Sequence, residues 1–260
     1  MIKNIIKVAL EGNNFNVMFK KVLKRFEKKT HSEATTWAKS QVKGSLAEFL
    51  AAIDSSLWTE TLFMCENIKK ESDAILKQIP YNLGGGGNYP LLYFLIRKYR
   101  PNVLIETGVA AGWSTKTILD ALNKNGSGEL YSSDFPYFRI KNPEKYIGAL
   151  LLNEEKNNWE LDTRGDTLAL PSFLNLIGDA KVNLFHYDSD KSYSGRKFAI
   201  DLVEPRFSRD AILVVDDIQD NLHFRDYVRT RKLTYEVFEF EGKYVGLVKN
   251  VGKQNLPHNM

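Results

Sequence analysis

Two short clusters late in the chain carry the residues best suited to chemistry: Asp188, Asp190 and Lys191 in DSDKSY, and Asp216, Asp217 and Asp220 in DDIQD. Each follows an apolar run of strand composition, VNLFHY at 182–187 and AILVV at 211–215. If those runs are neighbouring strands, Asp188, Asp216 and Asp217 converge on one sheet edge. Their oxygens suit a hard divalent cation, magnesium typically, with water and substrate oxygens filling its octahedron. Such a cation lowers the pKa of a substrate hydroxyl and aims it as a nucleophile. Lys191, three residues past Asp188, stands where it could take the proton, and nearby positive charge would push its own pKa down as a base requires. Helix capping accounts for single acids at strand–helix turns, and a salt bridge to Asp190 or Asp217 would account for Lys191. Two adjacent acids beside a second pair exceed what capping needs.

A second constellation lies upstream. VLIETGVAAGWST (103–115) places Glu106 at the end of an apolar run, then Gly108, Gly112 and Ser114. A dinucleotide fingerprint needs G-x-G-x-x-G so that backbone can approach a pyrophosphate. Here the middle glycine is missing and an acid sits nearby. A carboxylate repels a pyrophosphate but favours an ammonium or a sulfonium. That points to a cationic cofactor without phosphates, of which S-adenosylmethionine is the common one. Its carboxylate could take helix N-terminal amides and the Ser114 hydroxyl. Asp134, ending LYSSD, has the position after a second strand from which a carboxylate accepts ribose hydroxyls. Asp166, in RGDTLALP, could reach the adenine or could cap the helix that follows; both readings stay open.

These residues need a frame that gathers strand ends. Strands are expected at Val103–Thr107, Glu129–Ser133, Trp159–Thr163, Val182–Tyr187 and Ala211–Val215. Helices are expected over LLYFLIRKY, Ser114–Leu122, Leu170–Ile177 and Ser194–Val203, with another after Asn221. This alternation predicts a doubly wound α/β fold with a mostly parallel sheet, covered on both faces. TYEVFEFEGKYVGLVKN closes it with an antiparallel hairpin around EGK. The expected organisation is a helical N-terminal appendage over 1–80, an α/β domain over 81–250 and a tail over 251–260. Within the appendage, 45–79 has helical character and no proline before Pro80. VMFKKVLKRFEKK (17–29) is a basic amphipathic helix. It could lie on an anionic membrane surface, or its apolar face could pack on the protein body or on a second subunit in a homodimer.

Composition narrows the class. The net charge of +4 over 260 residues is too weak to argue nucleic-acid binding. The single cysteine, Cys65, excludes an internal disulfide and fits a reducing compartment. No run approaches a membrane span and no secretory signal is evident, so a cytoplasmic location is expected.

Taken in order, GGGGNYPLLYFLIRKYRPNVLIETGVAAGWST, LYSSDFP, HYDSDKSY and LVVDDI resemble the class I S-adenosylmethionine-dependent methyltransferases. More narrowly, they are similar to a bacterial subgroup related to the metal-dependent macrolide-sugar and catechol O-methyltransferases. The resemblance covers roughly residues 81–250. It implies a Rossmann-like fold and cofactor contacts at Glu106, Gly108, Gly112 and Ser114, with Asp134 on the ribose. It also implies metal ligation by Asp188, Asp216 and Asp217, with the residue at position 191 as base. That subgroup's closest DSDxSY members carry histidine where this chain has Lys191, while catechol-type enzymes carry lysine. The acceptor is therefore expected to be a sugar or phenolic hydroxyl on a small molecule. The aromatic and cationic loop FPYFRIKNPEKY (135–146) suits stacking on its ring. RFSRDA (206–211) departs from the Lys-Pro-Gly-Gly turn of relatives, with no functional effect expected. Other classes account for fewer of these residues. A metal-dependent hydroxylase on this scaffold would want histidine for its iron, from His186 or His223. A non-catalytic membrane- or partner-binding protein would not need the acids at 106, 134 and 188.

Overall fold

The computed structural model describes residues 30–135, 140–152 and 157–252. The basic stretch 17–29, residues 136–139 of the aromatic loop and most of the 251–260 tail lie outside the described residues. Strands β1 (Val103–Thr107), β2 (Glu129–Ser133), β3 (Trp159–Asp162), β4 (Val182–Tyr187), β5 (Phe207–Val215), β6 (Tyr235–Phe240) and β7 (Lys243–Lys249) form one sheet in the order β3-β2-β1-β4-β5-β7-β6. The first five run parallel, and β7 runs antiparallel to both β5 and β6. Strand order reverses between β1 and β4, so their C-terminal ends flank the crevice where ligands of such sheets sit. At the β6–β7 turn Glu241 and Gly242 both have positive φ, 49° and 77°. That pair gives a two-residue turn the twist of the strands it joins.

The described helices are α1 (His31–Gln41), α2 (Leu46–Ile53), α3 (Ser55–Leu76), α4 (Tyr89–Tyr99), α5 (Trp113–Asn125), α6 (Asp166–Leu176), α7 (Tyr193–Val203) and α8 (His223–Thr230). Apolar residues of α1, α6, α7 and α8 pack on one face of the sheet and those of α2, α4 and α5 on the other. The helices before residue 80 are part of these same layers. Trp37 and Ala38 of α1 join the cluster around Phe185 and Phe224, and Leu50 of α2 is fully buried among α4 side chains. Burying one leucine contributes about 1.5–3 kcal/mol, so Leu50 is a principal anchor of α2.

Local chemistry explains where the elements depart from the sequence reading. The helical stretch 45–79 is broken at Asp54, whose extended backbone ends α2 while its side chain accepts from the Leu57 amide and caps α3. Helix α6 begins at Asp166, four residues before the expected start. Gly165, at φ 84°, turns the chain into it, and Pro171 lies inside the helix rather than at its first turn. Strand β5 begins at Phe207 instead of Ala211. FSRD enters through a register shift against β4 between Val182 and Leu184, which the alternation of apolar residues does not encode.

Candidate active site

The polar residues singled out in the sequence gather at the C-terminal edge of β1, β2, β4 and β5. The deepest is Glu106. It is fully buried and accepts hydrogen bonds from Ser114 Oγ (2.6 Å), Thr115 Oγ1 (2.7 Å) and Ser132 Oγ (2.8 Å). The carboxylate therefore anchors the first turn of α5 to β1 and β2. Ser114, expected at the cofactor, points inward to Glu106. The turn between β1 and α5 is shaped by positive φ at Gly108 (87°), Ala110 (49°) and Gly112 (104°). Gly108 passes so close to the end of β4 that a Cβ there would lie 2.6 Å from the Asp188 carbonyl oxygen. Gly112 abuts Gly148, where a Cβ would come within 3.1 Å of its Cα.

Asp134 stands beyond β2 and accepts the Ala110 amide at 2.6 Å, which fixes the glycine turn against the second strand. Asp166 is the first residue of α6 and accepts from Ser133 Oγ (2.6 Å) and from Ser189 Oγ. It ties the ends of β2 and β4 together and does not cap its helix; the cap position is Gly165.

The acids of β4 and β5 meet around an ammonium. Lys191 Nζ contacts Asp188 Oδ1, and it donates to the Asp188 carbonyl at 2.9 Å and to Asp217 Oδ2 at 2.8 Å. Lys243 Nζ lies 3.2 Å from Asp217 Oδ1. Burial alone would raise Asp217, but Lys191 and Lys243 outweigh it and bring its pKa down to about 2. Burial pushes the Asp188 carboxyl up despite Lys191. Burial also disfavours the Lys191 ammonium, yet Asp188 and Asp217 more than offset this and hold its pKa above the ordinary lysine value. That is opposite to the downward shift expected for a base, because the nearest charges are carboxylates. Asp216 is engaged elsewhere as well: its Oδ2 pairs with His186 Nε2 at 2.9 Å. It also packs on Gly87, where a Cβ would collide with the carboxylate. Gly86, Gly87, Phe240 and Tyr244 close a small cleft over Asp188, Asp216 and Asp217.

Three positioning residues stand outside the favoured sequence reading, His186 having been named there only as a possible iron ligand. His186 is fully buried with Nδ1 3.5 Å from Glu106 Oε1, so its imidazole stands between Glu106 and Asp216. Burial would lower its pKa, but Asp216 and Glu106 raise it to about 10. Its sequence signal is a titratable residue inside an otherwise apolar strand. Arg196 of α7, fully buried, donates to the carbonyls of Asp216 (3.0 Å) and Asp217 (2.7 Å) and holds the turn in which Asp217 has φ 53°. Gly87 makes room for Asp216.

His223 lies beside this turn, packed between the Tyr193 and Tyr227 rings. Burial, helped by Arg196, pushes its pKa down to about 4. The folded value is below the unfolded one, so stability is lost as pH falls from about 6.5 toward 4. His223→Phe should remove this loss, worth about 2 kcal/mol near pH 5. Melting curves of the two proteins between pH 7 and pH 5 should diverge; parallel decline would rule out this origin. An iron reading also needs these histidines, and His186 is already committed to two carboxylates while His223 is enclosed by tyrosines.

Among the described residues no helix is long and apolar enough to cross a membrane. No curated protein matches the sequence. Among solved structures, the chain is similar to the O-methyltransferase TomG from Streptomyces achromogenes, solved in complex with S-adenosylmethionine. The TM-score is 0.54 at 16% identity, over 84% of this chain and 96% of that one. A methyltransferase of Podospora anserina bound to S-adenosylhomocysteine gives 0.53 at 10% identity, over 75% and 96%. A methyltransferase from Geobacter sulfurreducens gives 0.51 at 12% identity, over 71% and 89%. At such identities the likeness establishes the fold. Residues 105–218 match the family described as a methyltransferase domain, a span that runs from β1 through the acid pair after β5. Domain match and fold agree: the chain has the Rossmann-like fold of its methyltransferase neighbours, and its central span from β1 to the acids after β5 matches a methyltransferase domain.

Proposed function

We propose that the chain transfers a methyl group from S-adenosylmethionine to a hydroxyl oxygen of a ring-bearing small molecule, a sugar or a phenol. The observation that carries this reading is the Asp188–Lys191–Asp217 cluster, set against the glycine turn at the switch point of the sheet. Two structural neighbours, one of them TomG, support the cofactor, and the O-methyltransferase among them supports oxygen as the acceptor atom. The residues present suit the cofactor. The close approach at Gly108 leaves bare backbone where a side chain would intrude, and Asp134 offers a carboxylate to the ribose hydroxyls. Asp166, tied to β2 and β4, would stand toward the adenine in this reading. Glu106 acts through Ser114 and Thr115, holding the turn that the cofactor would lie on. When bound, S-adenosylmethionine supplies an electrophilic methyl group.

Methyl transfer is an in-line displacement, so the protein's task is to hold the acceptor oxygen close and take its proton. Asp188, Lys191 and Asp217 form the polar floor for that oxygen. Lys191 as base would have to give up its proton between two carboxylates that hold it. A carboxylate of the cluster is the better proton acceptor, and the ammonium stabilises the negative charge developing on oxygen. Phe240 and Tyr244, which line the cleft, offer aromatic surface to the ring.

Calorimetric titration with S-adenosylhomocysteine tests the reading. Micromolar binding is expected, weakened about 100-fold in Asp134→Ala, the order of loss for a buried charge-assisted hydrogen-bond pair. Absence of binding to the wild-type protein would remove the cofactor from the proposal.

A further inference from the structure

The sequence places a divalent cation at Asp188, Asp216 and Asp217, and the donor set disagrees. These side chains have the right oxygen chemistry, but among the described residues no group of three or more histidine, cysteine or acidic side chains is arranged to hold a metal ion. Asp216 spends its Oδ2 on His186, and that same oxygen packs against Gly87. Asp188 and Asp217, the two acids that face each other, share one ammonium.

We propose that Lys191 is the resident cation of this cluster: its ammonium takes the place of a divalent ion, and the chain works without one. This rests on the methyltransferase reading only for its consequence; the charge argument stands on the geometry. An ammonium has three hydrogens, and Lys191 Nζ has three acceptors in reach: Asp188 Oδ1, the Asp188 carbonyl at 2.9 Å and Asp217 Oδ2 at 2.8 Å. The lysine backbone is fixed as well, since Asn221 Nδ2 donates to its carbonyl at 3.0 Å. Three carboxylates thus face two ammonium groups and an imidazole, with Lys243 on the second oxygen of Asp217 at 3.2 Å. A divalent cation entering here would meet like charge at contact distance and would have to break the lysine's bonds to gain its own. Lys191 supplies what such an ion would otherwise give an acceptor oxygen, a fixed positive centre at the strand ends, and needs no loading step.

Removing the ammonium should therefore create a metal site. Purified wild-type protein, Lys191→Met and Lys191→Ala would be titrated with Mn²⁺, following the free-ion signal by electron paramagnetic resonance. Circular dichroism and an S-adenosylhomocysteine titration would be run on each sample. The wild type is expected to show no Mn²⁺ binding in the micromolar range. The folded variants should bind about 100-fold more tightly than wild type, the order expected when one unit of like charge leaves a partly buried site. Asp217→Asn in the variant background should abolish the gain. Micromolar Mn²⁺ binding by the wild type would overturn the proposal, as would folded variants that bind no better than wild type. If neither variant folds, the wild-type titration decides alone. Loss of S-adenosylhomocysteine binding by the wild type would count against the methyltransferase reading and leave the metal result to be judged by itself.

Discussion

Gly108→Ala is expected to lower the thermal midpoint by roughly 6–12 °C and to abolish measurable S-adenosylhomocysteine binding. Two costs combine at this position. The backbone has φ 87°, a region that a side-chain-bearing residue enters at about 1–2 kcal/mol. The added Cβ would also sit 2.6 Å from the Asp188 carbonyl oxygen and 2.8 Å from its carbonyl carbon. These are backbone atoms at the end of β4, and that strand is paired on both sides, so relief requires moving the strand end or the turn. Overpacking of this kind costs about 1–3 kcal/mol more. Either movement shifts Asp188 relative to the glycine turn and so separates the acid cluster from the cofactor crevice. Gly126→Ala is the control. It has φ 72° with nothing within 4 Å of the added Cβ, so it bears the conformational cost alone. Differential scanning fluorimetry and calorimetry on both variants separate the two contributions. Equal losses of stability, with ligand binding retained in Gly108→Ala, would show that the close approach has no role.

The sheet was legible because its signal is local. Four of the five predicted parallel-type strands match at both ends or within one residue, since each is an apolar run stopped by a polar or turn residue. The fifth, β5, begins early because FSRD pairs through a register shift that no alternation announces. The gathering of Asp134, Asp188, Asp216 and Asp217 at one edge followed from their places at strand ends, given parallel order. The directions in which those side chains point did not follow. Glu106 was read as facing the cofactor, but Ser114, Thr115 and Ser132 enclose it, and those partners come from two other elements. Lys191 was read first as a base among cations, with a salt bridge to Asp190 or Asp217 as the alternative; the bridge to Asp217, 26 residues away, is the one that forms. Helix α1 has little amphipathic pattern in HSEATTWAKSQ; it is fixed by Trp37 packing near Phe224 and Tyr235, a tertiary contact. Spacing along the chain fixes which strand end a residue occupies, whereas the charge that meets it there depends on chain packing.

His186→Leu should destabilise the protein by about 3–5 kcal/mol, the range for breaking a buried ionic contact by removing one partner. Parallel register aligns Ser132 of β2, Glu106 of β1 and His186 of β4 in one row across the sheet, with Asp216 just beyond β5. The first three are fully buried and Asp216 nearly so. Leucine restores bulk but leaves the Glu106 and Asp216 carboxylates facing each other's region without the imidazole between them. The cost should therefore exceed that of an apolar cavity and should depend on Glu106. A double-mutant cycle with Glu106→Gln makes this quantitative. If the imidazole holds the acid, the double variant should cost less than the sum of the singles by about 1–3 kcal/mol. Urea unfolding followed by tryptophan fluorescence supplies the energies, with circular dichroism confirming a folded baseline. Additivity would mean that the 3.5 Å approach of Nδ1 to Glu106 has no energetic content and that His186 acts through Asp216 alone. Coupling would make the buried row a mechanical link. Glu106 sets the start of α5 through Ser114 and Thr115, and Asp216 leads into the turn that carries Asp217, so one imidazole would keep the cofactor turn and the acid cluster in register.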